Sequence, residues 1–200
     1  MEVSKIQLSA NELELVLNKE WILTKHRIIN KVYELLGNVA GEMQLAAASF
    51  YTCTGPGVWQ NTPKISKGEQ YEQLPYVVLD YPRVFTRQDV FAVRNFFWWG
   101  HYFTSTLHLK GHYAETYATA IATNLSNTNN LFLAYGNNEF NFTIEKEYSR
   151  CDTGNWPTAA ALKEMPFIKL AVVCPLQQWT HAPLQLINNT NLLLNLLRCM

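Results

Sequence analysis

From Gly100 the residues alternate. His101, Phe103, Ser105, Leu107 and Leu109 share one face of an extended strand, and Tyr102, Thr104, Thr106, His108 and Lys110 share the other. Thr, Tyr and Phe suit a pleated, half-buried surface. The first face is mostly apolar and is expected to meet a core. The second is hydroxyl, imidazole and ammonium, and is expected to face water or a ligand. Upstream, 90–97 is also strand-like, and a hairpin with 101–109 turning at Trp98-Trp99-Gly100 is the preferred arrangement; one long strand kinked at Gly100 is the alternative. Further strands are expected near 76–81 and 167–173, the second a near-continuous apolar run and so central. The stretches 131–135 and 140–146 flank Gly136-Asn137-Asn138-Glu139 and read as a second hairpin.

Helical patterning dominates the ends. Ser9 with Glu12 forms a capping-box pattern that starts a short helix. A longer helical segment from about Trp21 to Ser49 carries Ile22, Ile29, Val32, Leu35, Leu36, Val39 and Met43 on one stripe, weakened in the middle by Gly37 and Gly41. The segment from Thr54 to about Gln73 reads as a long loop, and Thr86 to Asp89 as a second capping-box-like start. Helices are expected near 112–124 and 183–198, with a shorter one from Thr158 to Met165. The sum is one α+β domain, a helical N-terminal segment (1–52) packed on a mostly antiparallel sheet.

The chain has 200 residues, sixteen basic and sixteen acidic, and 48% hydrophobic residues. That length buries a core without metals or disulfides. The charge balance argues against a broad nucleic-acid surface, and it removes one defence against self-association. A homodimer is expected, with the C-terminal helix or the aromatic hairpin at the interface. Cys53, Cys151, Cys174 and Cys199 are scattered without CxxC spacing, which argues against a zinc ribbon. No signal peptide or membrane-spanning stretch is visible, so a cytoplasmic protein with reduced cysteines and no membrane partner is expected.

Four groups carry candidate chemistry. His108, His112 and Glu115 offer two imidazoles and a carboxylate for a divalent metal, against the plainer reading of an exposed histidine pair at a helix start. His101 sits among apolar neighbours, where a hydrogen-bonded core histidine is the commoner outcome. Arg83, Arg87 and Arg94 flank the aromatic stretch with Asp80 and Lys110; converging, they would make an anion site, and otherwise they are solvated or paired. Trp98, Trp99, Tyr102 and Tyr113 suit stacking, or core and interface. No phosphate loop, dinucleotide fingerprint or nucleophile elbow is present. The expected function is a non-catalytic binding or interaction domain without a cofactor; if it has a small-molecule site, a small anion is expected where the strand ending at Lys110 meets the helix starting at His112, against the plainer reading of a solvent-exposed turn. The alternative is a hydrolase using His108 and His112, metal-assisted or not.

Overall fold

The computed structural model describes residues 6–125, 130–151 and 156–198. Ser9 caps helix α1 (Ala10–Leu17) through a complete capping box with Glu12. Asn18 is a single-residue corner. Its N–H closes α1 on Glu14 and Leu15, and its side chain caps α2 (Lys19–Ala46) at the Trp21 N–H. α2 runs unbroken through Gly37 and Gly41, because its buried stripe, Ile29 to Met43, outweighs their lower helix propensity; Ile22, expected on that stripe, is exposed because the first turns of α2 extend past the core. The four-residue helix α3 (Tyr51–Thr54) ends at Gly55, which adopts a φ of 73°.

The strands are β1 (Lys64–Tyr71), β2 (Leu74–Phe85), β3 (Val90–Trp98), β4 (Tyr102–Lys110), β5 (Leu131–Ala134), β6 (Tyr148–Cys151) and β7 (Ile168–Pro175). They form one antiparallel sheet in the order β1-β2-β3-β4-β7-β5-β6, so the apolar strand 168–175 is central, as its composition predicts. The β3–β4 hairpin is the preferred one, with Phe97 opposite Phe103 and Gly100 at a φ of 76° in the turn. The helices α4 (His112–Leu125), α5 (Ile144–Glu147), α6 (Ala159–Glu164) and α7 (Ala182–Asn195) complete the fold. This is the expected α+β class, with an N-terminal helical region packed on the sheet.

One sheet face holds Phe91, Val93, Phe97, Phe103, Leu107, Leu109 and Leu170, covered by α2, α4 and α7. Its centre carries a short polar chain. Ser105 Oγ donates to Asn95 Oδ1 at 2.6 Å, and Asn95 Nδ2 donates to Thr190 Oγ1 of α7 at 3.3 Å. All three residues are buried, so these bonds satisfy groups that would otherwise be costly to enclose.

The other face departs from expectation. Residues 140–146 are not a strand; β5 pairs with 148–151 instead. The chain between them leaves the sheet at Tyr135 and returns at Glu147, where the Tyr135 N–H donates to the Glu147 carbonyl at 3.0 Å. It lies as a strap across Phe96, Trp98, Tyr102 and Ala171, with Phe142 inserted among them. Its backbone is held by side chains rather than by a ladder. Tyr71 Oη accepts from Phe142 N–H at 2.6 Å, and Tyr102 Oη accepts from Ile144 N–H at 2.9 Å. Thr104 and Thr106, expected on an open face, are therefore buried along with Phe103 and Leu107.

Three further expectations change. The long loop ending at Gln73 contains β1, an edge strand whose alternation is masked by Lys64, Lys67 and Glu69; charged residues are common on edges because they discourage further pairing. Thr86 to Asp89 is the β2–β3 turn, not a helix start, closed by Thr86 N–H to the Asp89 carbonyl at 2.9 Å. β2 does not stop before Pro82. It continues across a cis Tyr81–Pro82 peptide at a register shift, where the missing proline N–H is tolerated.

Candidate functional site

Register brings the charged residues together. Asp80 lies opposite Arg94, Arg94 opposite Thr106, and His108 opposite Lys169. Arg94 binds Asp80 bidentately, Nε to Oδ1 at 2.6 Å and Nη2 to Oδ2 at 2.8 Å. Its guanidinium also lies 4.8 Å from the Phe142 ring centroid. Next to this pair, Lys110 Nζ meets Glu139 Oε1 of the strap at 2.8 Å.

Under the strap, Lys169 has no exposed surface. Its Nζ donates to the carbonyls of Glu139 and Asn141 at 2.9 and 2.5 Å and lies 3.7 Å from the Phe142 centroid. Burial pushes its pKa down from 10.5 to about 7, with Arg94 adding to the effect and Glu147 and Glu139 opposing it. His108 is 5% exposed. Burial, then the charges of Lys169, Arg94 and Lys110, push its pKa down to about 3, so the imidazole is neutral near pH 7. His108 Nε2 and Glu139 Oε2 stand 3.3 Å apart, but neither has an aligned hydrogen-bond partner. With the imidazole neutral, this is a contact and not an ion pair.

The charged row opens into a pocket of about 450 Å³ at the edge of the strap. Arg94 and Asp80 line it beside Lys110 and Glu139. Arg83 and Arg87 enter from the end of β2, Lys64 enters from β1, and Phe85 and Phe140 form aromatic walls. The two rings are 44% and 60% exposed. Five cations face two carboxylates, leaving a local surplus of three positive charges on a chain with no net charge. Asp80 and Glu139 occupy Arg94 and Lys110, and Arg83 Nε donates to the Thr62 carbonyl at 2.8 Å. Arg87 and Lys64 have no ion-pair partner among the described residues. A multiply charged oxyanion would find two free cations here, and guanidinium geometry suits carboxylate or phosphate.

The sequence-derived candidates are thus split by the fold. Arg83, Arg87, Arg94 and Lys110 converge on one pocket. Tyr102, Thr104, Thr106 and His108 lie on the same sheet face but beneath the strap. His112 is exposed at the start of α4, whereas His108 is enclosed beside Glu139. Among the described residues, no group of three His, Cys, Asp or Glu side chains is arranged to hold a metal, so His108, His112 and Glu115 are not a metal set. The anion expected at the α4 N-terminus is supplied internally, since Asp89 Oδ1 accepts from the His112 N–H at 2.8 Å. Gly111 permits that approach. Its φ is 60°, and a Cβ there would meet the Asp89 carboxylate and come within 2.5 Å of the Gln88 carbonyl. His101 is not a core residue but an exposed turn residue, stacked on Trp98 with centroids 3.5 Å apart.

Sequence reasoning missed Lys64, Phe85, Glu139, Phe140 and Lys169. Lys169 alone left a signal, a single charge inside the apolar run Phe167–Val173. The others sit in segments whose approach to the pocket depends on the strap and the edge strand. No helix among the described residues is long and apolar enough to cross a membrane. No known protein family, curated protein or solved structure matches the chain.

Proposed function

We propose that this chain is a non-catalytic binding domain for a small anion, a carboxylate or a phosphate, held in the pocket between Phe85 and Phe140. The observation that carries the reading is the convergence of five cations on one half-open pocket with two of them, Arg87 and Lys64, left free. Exposed aromatic walls fit a ligand with a flat apolar part beside its charge. The hydrolase alternative draws no comparable support, because His108 is enclosed and His112 lies elsewhere. A reduced, cytoplasmic protein belongs to the same reading and agrees with the buried Cys174 being a free thiol; Cys199 lies outside the described residues. Self-association belongs to the same reading. Leu186, Leu193 and Leu194 of the C-terminal helix α7 face the core and are not available to such a surface.

The test is a thermal-shift and calorimetry panel of phosphate, phosphate monoesters and small di- and tricarboxylates. At least one should raise the melting temperature at low salt, with the effect shrinking as salt is added. Arg87→Ala combined with Lys64→Ala should weaken that binding by about tenfold or more. A panel without shifts, or shifts equal in the double variant, would remove the proposal.

A further inference from the structure

We propose that α1 and the first turns of α2 form a twofold interface with a second copy of this chain. Nine of the fifteen large apolar side chains exposed among the described residues fall between Ile6 and Leu23, each 44–90% exposed. α1 buries none of its residues, although Leu13, Val16 and Leu17 fall on one helical stripe. An eight-residue helix has little stability of its own in water, so an apolar face held in place without cover indicates a partner. The Asn18 corner, bonded on both sides, fixes the direction of α1 relative to α2 and lowers the cost of docking it.

The same end of the molecule supplies a receiving surface. A cavity of about 410 Å³ opens between α2 and the β3–β4 turn, with Trp21, Ile28 and Trp99 as its apolar lining. The Trp21 and Trp99 rings stack at 6.5 Å, giving this groove a firm wall. Projecting helix and unfilled groove are adjacent on one chain, which is the arrangement an isologous contact needs.

Charge favours a second copy as the occupant. The only charged residues of α1 are Glu12 and Glu14, whereas the start of α2 presents Lys19, with Lys25 paired to Glu69 and Arg27 to Glu20 in the same chain. Crossing α1 of one copy over the α2 start of the other therefore sets unlike charges together, twice, about the axis. Area agrees as well. Nine such side chains, at roughly 60–100 Å² each, approach the ~800 Å² per partner of a stable interface.

Sedimentation or light scattering across the micromolar range should give a dimer mass for the wild type. Val16→Lys with Leu17→Lys should give a monomer that still melts cooperatively, since both side chains are exposed, but whose melting temperature no longer depends on protein concentration. Leu184→Lys, exposed outside this surface, should remain dimeric. Glu14→Lys should weaken dimerisation by about tenfold, and adding Lys19→Glu should restore it. A monomeric wild type, an open-ended assembly, a dimeric V16K/L17K variant or a failed charge swap would each overturn the proposal. None of these residues lines the anion pocket, so the two readings stand or fall separately.

Discussion

Lys169 and His108 are basic side chains kept where their charged forms are disfavoured, and that has a measurable signature. Lys169 titrates near 7 in the folded protein and near 10.5 in an unfolded chain. Between those values the unfolded chain binds more protons, so stability rises with pH across this window. Replacing Lys169 with Met should flatten that rise, which a series of melting curves would reveal; equal slopes in both proteins would contradict the burial argument. His108 acts on the acid side. Its folded pKa near 3 lies below 6.5, so its contribution is lost as pH falls from about 6.5 toward 3. His108→Gln should make the protein more acid-tolerant, by on the order of a few kcal/mol at most. The sequence placed the two strand histidines the wrong way round, His101 inside and His108 outside. Alternation told which residues of 102–110 share a face. It did not tell that a segment thirty residues later covers the polar face, or that the strand starts at Tyr102 and leaves His101 in the turn.

At the scale of elements, the strap shows why one hairpin was legible and the other was not. Val90–Trp98 and Tyr102–Lys110 pair as their alternation suggests, since both strands present a long apolar face to the helices. Phe140 to Ile144 alternates equally well, but Phe142 finds its apolar neighbours on the sheet surface rather than beside a strand. Its backbone donors are met by Tyr71 and Tyr102, so ladder pairing is not needed. Tyr71→Phe and Tyr102→Phe should each leave a strap N–H without its acceptor and cost about 1–3 kcal/mol in denaturant unfolding. No loss in either variant would mean that the strap is held by Phe142 alone. The α4 cap is a parallel case. Asp89→Ala should cost about 0.5–2 kcal/mol, because the Asp89 carboxylate meets the first N–H of the helix from a neighbouring turn. A melting temperature unchanged in that variant would show the contact to be idle.

At the scale of the molecule, the helical N-terminus, the antiparallel sheet and its central apolar strand were readable because each buries a long continuous pattern. The pocket was readable only as the charged set Arg83, Arg87, Arg94, Asp80 and Lys110, since its closure depends on Lys64 of an edge strand and on Glu139 and Phe140 of the strap. The two sheet edges also bear on assembly. β1 carries Lys64, Lys67 and Glu69, and β6 has only four residues with Arg150 among them, so growth by strand addition is discouraged. The meeting of Tyr135 with Glu147 has a broader consequence. Because the chain leaves and rejoins the sheet at one point, residues 136–146 form an insert rather than a link. Joining 135 to 147 through an Asn-Gly turn should leave the sheet and its helical side assembled while baring Phe96 and Trp98. The strap's share of the pocket, Glu139 and Phe140, can therefore be rewritten without altering any residue of the sheet beneath it.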